Sequence, residues 1–154
     1  MSLTVRPANA GDIEFIADIS AESLYESWSA GSLHEIFENA AYTVLVCERA
    51  DHITADHMIA GYIILFTAAD ECNLLSLGVS AETRRRGIGR ALTEIAAQHA
   101  RKRGCCAIYL EVRESNIPAV KLYESCGFEP CGMRPGFYQN PDEDAKLYKL
   151  PIIE

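Results

Sequence analysis

The sequence predicts an α/β fold, a mixed central sheet of about seven strands flanked by about four helices. Val-, Ile- and Leu-rich runs of strand length alternate along the chain with segments of helical periodicity, in the order β-α-α-β-β-β-α-β-α-β-β. The chain has 154 residues, a length that suits one core. Residues 1–154 are therefore predicted to form a single domain.

The N-terminal half of the chain is predicted to contain two helices and four strands. Asn9 followed by Asp12 resembles a capping box, and the residues behind it follow helical spacing: Ile13, Ile16, Ala17, Ser20 and Leu24. A second, shorter helix is predicted at 32–39. The predicted strands cover 2–6, 42–48, 58–66 and 73–79. The middle two strands form a hairpin with a long polar loop.

The C-terminal half begins with the clearest helix, which Gly104 closes as the residue after its C-cap. One face of that helix carries Ile88, Ala91, Leu92, Ile95, Ala96 and His99. A strand is predicted at 105–112. Asn116 caps a further helix that ends at Cys126-Gly127. Two final strands, 128–133 and 146–150, are joined by a predicted loop that contains Pro135, Gly136, Asn140 and Pro141.

The composition excludes several classes of function. The formal net charge is −8, so the surface repels phosphate backbones and favours a basic partner or simply solubility. No apolar run reaches the roughly 18 residues that a membrane helix needs, and no secretory signal is visible. We therefore expect a cytoplasmic protein that binds neither nucleic acid nor membranes.

Six cysteines are present, and none forms a C-x-x-C pair. A zinc site is therefore not expected, and no metal cofactor is predicted. Without an export signal the thiols are predicted to be reduced and mostly buried, where they act as small apolar side chains.

An arginine-rich turn precedes the clearest helix, with the sequence Arg84-Arg85-Arg86-Gly87-Ile88-Gly89-Arg90. Cationic side chains at a helix N-terminus oppose the helix dipole. A bound anion would remove this conflict, and a pyrophosphate fits the exposed backbone amides. The two glycines would let the backbone approach phosphates without a Cβ in the way. A solvated basic turn is the alternative.

Two other phosphate-binding motifs fit this turn less well. A P-loop requires Lys and then Ser or Thr after its glycines, where this chain has Ile88-Gly89-Arg90. A dinucleotide fingerprint requires a third small residue, and Leu92 occupies that position. Glu111 does lie about where a ribose-binding acid would, but the short chain offers no separate substrate domain.

The pattern Arg84-x-x-Gly87-x-Gly89 resembles the acetyl-CoA signature of the GNAT superfamily of N-acetyltransferases, Q/R-x-x-G-x-G/A. The resemblance implies acetyl-CoA as co-substrate, with its pyrophosphate on the backbone amides of the turn and its pantetheine arm beside the preceding strand. The residues implied on the turn are Arg84, Arg85, Arg86, Gly87, Ile88, Gly89 and Arg90. The residues implied on the strand are Leu77, Gly78 and Val79.

A second stretch resembles one GNAT subfamily, the bacterial ribosomal-protein alanine N-acetyltransferases of the RimI type. It runs Leu-Glu-Val-Arg-Glu-Ser-Asn over 110–116 and continues as Ala-x-x-Leu-Tyr-Glu-x-x-Gly-Phe over 119–128. The segment 134–138 and the acidic run 142–144 resemble the substrate-side hairpin of that subfamily. The resemblance implies that the acceptor is the N-terminal α-amine of a protein, a ribosomal protein that begins with alanine.

The same resemblance implies two catalytic residues. Glu111 is the implied general base, and the alternative is a surface carboxylate paired with Arg113 or another cation. Tyr123 is the implied general acid, and the alternative is an aromatic side chain that anchors its helix. Asn116 is a helix cap, a CoA contact or both. No nucleophilic cysteine is required, because the amine can attack the thioester directly.

The acceptor side carries two further predicted contacts, Trp28 and Tyr138. Trp28-Ser29 resembles the Pro-Trp-Ser of the subfamily, with Ser27 in place of the proline. The acidic run 142–144 is expected to attract a basic peptide. Two alternatives stay open: a GNAT enzyme that acts on a small amine or on lysine, and a non-catalytic acyl-CoA sensor, which the intact Glu111 and Tyr123 disfavour.

Overall fold

Every helix and strand expected from the sequence is present in the computed structural model, which describes residues 2–22, 27–51, 53–54 and 57–152. The strands are β1 (Ser2–Pro7), β2 (Tyr42–Ala50), β3 (His57–Ala68), β4 (Glu71–Val79), β5 (Ala107–Arg113), β6 (Glu129–Tyr138) and β7 (Glu143–Pro151). The helices are α1 (Ile13–Ala21), α2 (Ala30–Phe37), α3 (Ile88–Lys102) and α4 (Ile117–Ser125). Short 3-10 turns cover Ala10–Asp12 and Ala81–Thr83.

The strands form one mixed sheet in the order β1-β2-β3-β4-β5-β7-β6. Among the described strands only β4 and β5 pair in parallel, and their register runs for three residues, from Glu71 opposite Ala107 to Asn73 opposite Tyr109. The β3–β4 register then skips Leu75, a bulge that bends β4. Beyond these residues β4 and β5 separate, and the sheet opens between them.

Helices cover both faces of the sheet and define two apolar clusters. α1 and α2 pack on one face, and this cluster includes Ile13, Ile16 and Leu33 of the helices and Val46, Tyr62 and Ile64 of the sheet. α3 and α4 pack on the other face over the residues Ile63, Leu65, Ile88, Leu92, Ile108, Tyr123 and Phe128. The divided core follows from the sequence, because buried strands such as β3 carry apolar residues on both faces.

The predicted helix ends are confirmed. Asn9 accepts from the Gly11 amide and Asp12 accepts from the Asn9 amide, which completes the capping box. Gly104, at φ 78°, ends α3 in a Schellman motif, with amide hydrogen bonds from Gly104 to Arg101 and from Cys105 to Ala100. Leu24, predicted as the last apolar position of α1, lies outside the described residues.

The predicted loop between the last two strands is too long. Of the four residues predicted in it, Pro135 and Gly136 belong to β6, and Asn140 and Pro141 lie in the turn. β6 tolerates Pro130 and Pro135 because it lies at the edge of the described sheet, where it pairs with β7 on one side. α2 also begins and ends two residues before its predicted bounds, with Ser29 as its N-cap.

All six cysteines are free thiols, and the prediction that most are buried holds for only three of them: Cys47, Cys72 and Cys105. Burial raises the pKa of the Cys72 thiol to about 11. The described residues contain no group of three or more His, Cys, Asp and Glu able to hold a metal ion. None of the described helices combines the length and the apolar character that crossing a bilayer requires.

Candidate active site

The opening between β4 and β5 forms a cleft of about 1010 Å³, here called the larger cleft. It extends from these strands to the N-terminal ends of α3 and α4. Predicted cofactor residues that line it are Leu77, Gly78, Val79, Arg84, Arg85, Gly87, Ile88, Gly89, Arg90 and Asn116. Glu111 and Tyr123 line it too, whereas Arg86 is not among its described lining residues.

The turn before α3 is held in place from the opposite face of the sheet. Gly87, the N-cap of α3, has φ 79°, a left-handed conformation that favours glycine. Glu22, at the end of α1, accepts a hydrogen bond from the Ala81 amide at 2.9 Å and lies 3.7 Å from the Arg84 guanidinium. The turn that begins α3 is therefore anchored at its first residues.

Arg90 has a structural partner on α4. Its Nη2 donates to the Ser125 carbonyl oxygen at 2.9 Å, so a cation lies at the C-terminal end of that helix, where the dipole is favourable. Arg90 thus connects the beginning of α3 to the end of α4. This contact relieves, at one of the four arginines, the electrostatic conflict expected from the sequence.

Two glycines of the larger cleft are required by packing. A Cβ on Gly78 would lie 2.4 Å from the ring of Tyr62, whose hydroxyl forms a 2.8 Å hydrogen bond with Ser76. A Cβ on Gly89 would lie 3.0 Å from Leu122 of α4. The sequence predicts glycine at position 89 because a phosphate must approach the backbone there. The close approach of α3 and α4 is a second physical reason for a glycine at this position.

Glu111 lies on β5 at the point where that strand leaves β4. Its Oε1 is 3.5 Å from Nε of Arg134, a residue of β6, and both side chains are partly exposed. The alternative partner, Arg113, is directed elsewhere and binds the β6–β7 turn. The candidate base therefore has a surface ion pair of the kind that contributes little to stability.

Tyr123 is fixed by the end of its own helix. α4 terminates in a Schellman motif in which the Phe128 amide donates to the Tyr123 carbonyl and the Gly127 amide donates to that of Glu124. The rings of Tyr123 and Phe128 meet edge to face at 5.5 Å, the apolar contact typical of this motif. Tyr123 is 8% exposed, at the wall of the larger cleft.

A second cleft of about 440 Å³, here called the smaller cleft, lies beside β4, β5 and β6. Tyr138 lines it. Leu74, Leu75 and Glu111 line both clefts, so the two cavities meet at the candidate base. Trp28 lines neither cleft in the described part of the chain. It packs on the α1–α2 side, where its amide donates to Ser20 Oγ at 2.9 Å.

The acetyltransferase (GNAT) family model matches residues 13–128. That range covers both walls of the larger cleft. The chain belongs to the GNAT family.

Relatives narrow the comparison within the family. The ribosomal protein bS18-alanine N-acetyltransferase of Escherichia coli K12 is 38% identical over 65% of this chain and 69% of its own length. The Haemophilus ducreyi protein of the same name is 30% identical over 85% of this chain and 86% of its own length. The crystal structure of the Escherichia coli ribosomal-protein-S18-alanine N-acetyltransferase superposes with a TM-score of 0.83 at 28% identity, over 99% of this chain and 96% of that one. This GNAT protein is an acyltransferase of the RimI-like group.

The structure of this acetyltransferase also shows a residue that the sequence did not single out as functional. Arg113, 7% exposed, donates to the carbonyl oxygens of Gln139 and Pro141 at 2.9 Å each. Its guanidinium lies 4.5 Å from the ring centroid of Tyr138 and 3.3 Å from Glu143. Arg113 therefore fastens the β6–β7 turn, and Tyr138 with it, to the strand that carries the candidate base.

The acidic run 142–144 is largely engaged within the enzyme. Glu143 accepts from the Ser115 amide, and hydrogen bonding from Ser115, followed by Arg113, holds the pKa of its carboxyl below the ordinary value. Asp144 accepts from the Gly136 amide at 2.8 Å. Local hydrogen bonds engage these two carboxylates, and the attraction of the run for a basic peptide stays a prediction.

Proposed function

We propose that this acetyltransferase moves the acetyl group of acetyl-CoA to the N-terminal α-amine of a protein, a ribosomal protein that begins with alanine. The observation that carries the proposal is the meeting of two clefts at Glu111. The names of the Escherichia coli and Haemophilus ducreyi relatives support this acceptor. Both ends of the chain contribute strands to one sheet, which supports a single domain over residues 1–154.

Acetyl-CoA occupies the larger cleft in this proposal. The amides between Arg85 and Arg90 bind its pyrophosphate at the N-terminus of α3, where the helix dipole favours an anion. The pantetheine arm runs along β4 from Val79 to Leu77, where β5 no longer pairs with that strand. Asn116, whose Oδ1 caps α4 at the Ala119 amide, contacts the CoA from the opposite wall.

Glu111 acts as the general base. An N-terminal α-amine has an ordinary pKa of about 8, so at neutral pH most of it carries a proton that must leave before attack. Glu111 accepts that proton directly or through a water molecule. The neutral nitrogen then forms a bond to the thioester carbonyl carbon. The bonded nitrogen gives its second proton to water, and the C–S bond breaks as the tetrahedral intermediate collapses to the amide.

Tyr123 acts as the general acid. The departing CoA thiolate needs a proton, and a phenol can donate one. Tyr123 and Glu111 line the larger cleft from different elements, α4 and β5, so the acid and the base approach the thioester from two sides. Tyr138 lines the smaller cleft and contacts the acceptor there, and Trp28 remains a predicted acceptor contact.

A thiol-release assay with acetyl-CoA tests this function. The acceptors are an Ala-starting ribosomal-protein peptide, an internal-lysine peptide with a blocked N-terminus, and small amines. Glu111→Gln and Tyr123→Phe are each expected to lower kcat by about 100-fold or more, because each removes a proton-transfer group. Glu114→Gln and Tyr42→Phe are the matched controls, since neither residue lines a cleft.

The acceptor decides between the proposal and its alternatives. The expected result is turnover on the Ala-starting peptide, with the acetyl group on its α-amine and a lower kcat in both variants. Turnover confined to lysine or to small amines would replace the acceptor and keep the chemistry. CoA binding without turnover on any acceptor would leave the non-catalytic sensor.

A further inference from the structure

The smaller cleft has a carboxylate near each end. Glu111 lies where the cleft meets the larger one, and Glu71 lines it at the beginning of β4. Glu71 is level with Ala107 in the parallel pair, four residues before Glu111 on β5. At about 3.3 Å per residue, the two acidic positions are about 13 Å apart along the sheet.

The floor between the two carboxylates is largely apolar and aromatic. Residues that line this part of the cleft include Phe66, Asn73, Leu75, Tyr109 and Leu147. Such a surface suits the backbone and small side chains of an extended polypeptide, because it offers a flat apolar contact between two polar ends. A polypeptide whose amine lies at Glu111 can therefore continue along the cleft.

Of the two acids among the described lining residues of the smaller cleft, Glu71 is the one without an ion-pair partner. Glu111 pairs with Arg134 across the cleft. On β7, Lys149 is level with Tyr109, and Glu129 of β6 is opposite that lysine. Within the described part of the chain, no ion pair or side-chain hydrogen bond involves Glu71, which is exposed.

We propose that Glu71 selects acceptors that carry Lys or Arg near their fifth residue. The proposal rests on the function proposed above, since it assumes that the acceptor amine lies at Glu111. An extended chain advances about 3.3 Å per residue, so four steps, about 13 Å, separate the first residue from the fifth. A cation there meets an unpaired carboxylate on an enzyme whose net charge is −8.

A lysine scan of the acceptor tests this selection. Each test peptide begins with alanine and consists of neutral residues, except for one lysine with a free ε-amine at a single position from 2 to 8. Each has a twin with glutamine at that position. The ratio of kcat/KM between the twins is measured at about 0.01 M and about 1 M ionic strength, where the Debye length falls from about 30 Å to about 3 Å. Mass spectrometry identifies the acetylated amine in each product, so that only acetylation of the α-amine enters kcat/KM.

The expected ratio rises to about two- to fivefold at positions 4–6 at low salt, the range of an exposed ion pair, and falls towards one at high salt. Glu71→Gln removes the maximum, and Glu71→Lys moves the preference to a peptide with glutamate at that position. Glu94→Gln, an exposed acid on α3 that lines neither cleft, keeps the wild-type profile.

Three results would overturn the inference. A flat profile with normal turnover, or a maximum that persists in Glu71→Gln, removes Glu71 as the selecting residue and leaves the proposed function intact. Absence of turnover on every peptide, with turnover on another amine, overturns the proposed function and this inference together.

Discussion

The two clefts that meet at Glu111 are built in different ways. The walls of the larger cleft come mainly from two short stretches, 74–90 and 111–125, and close contacts fix its shape, as at Gly78 against Tyr62. The smaller cleft draws on five strands and includes the exposed edge strand β6, which Arg113 and Glu143 fasten through the β6–β7 turn. Changes in the first should therefore disturb packing and cofactor together, and changes in the second should disturb the acceptor alone.

The largest expected effect is at Gly78. Gly78→Ala places a Cβ 2.4 Å from the buried ring of Tyr62, which Ser76 holds by a hydrogen bond. Overpacking of this kind costs about 1–3 kcal/mol, so Tm should fall by about 3–10 °C. The KM for acetyl-CoA should rise about tenfold, because about 1.4 kcal/mol of lost binding corresponds to that factor.

Gly31→Ala on α2 is the matched control for this substitution. Its Cβ would meet nothing closer than 3.8 Å, and alanine favours a helix, so Tm should hold or rise. Equal Tm values for Gly78→Ala and the wild type would show that the wall of the larger cleft yields more easily than its packing indicates.

A smaller and more selective effect is expected at Arg113. Arg113→Lys retains the charge but loses the planar fork that reaches two carbonyl oxygens and faces Tyr138. A lost charge-assisted hydrogen bond costs about 1.5–3 kcal/mol. The KM for the acceptor peptide should rise about tenfold. The KM for acetyl-CoA should rise less, because Arg113 lines the larger cleft but its hydrogen bonds go to the β6–β7 turn.

A steady-state comparison with Tyr138→Leu tests whether Arg113 acts through Tyr138. Their effects on acceptor KM should not add in the double variant, because one change already releases the other residue. Additive effects, or an equal rise in the KM for acetyl-CoA, would place Arg113 among residues that serve stability alone.

The smallest effect is expected at acid pH, at Glu143. Its pKa is held below the ordinary value, chiefly by hydrogen bonding from Ser115, so the folded state binds this proton less readily than the unfolded chain. Its stabilisation is therefore complete above the unfolded pKa and is lost as pH falls through the lower, folded pKa. Amide exchange in 139–145 should accelerate severalfold in that range relative to 77–90, after correction for intrinsic rates.

Glu143→Gln should remove this difference between the two segments. The variant should exchange faster in the turn at neutral pH and show less additional change on acidification, because no carboxylate remains there to be protonated. Equal acceleration of both segments in the wild type would mean that acid loosens the two clefts together.

The sequence predicted the larger cleft better than the smaller one, and the reason is contiguity. Leu77, Gly87 and Arg90 are close in the chain, and the strand–turn–helix that joins them follows from local periodicity and glycine placement. Asn116 and Gly127 likewise marked the ends of α4. These local signals were sufficient to bring ten predicted cofactor-binding residues to one cleft.

The smaller cleft depended on strand register, which local patterns do not specify. Pro135 indicated a loop, yet β6 continues to Tyr138 because an edge strand accepts proline. The register shift in β6 between Arg134 and Tyr138 sets the position of Arg134, which lies 3.5 Å from Glu111. Arg113 was the alternative partner considered for Glu111. It binds instead the carbonyl oxygens that the β6–β7 hairpin brings to it, and Arg134 pairs with Glu111.

The most direct test of the two-cleft account is an initial-velocity matrix with acetyl-CoA and an Ala-starting peptide varied together. If both substrates occupy their clefts at once and the amine attacks the thioester at Glu111, double-reciprocal lines should intersect, and free CoA should not form without the acceptor. Parallel lines with a burst of CoA release would show a covalent acetyl-enzyme, and would contradict direct transfer where the clefts meet.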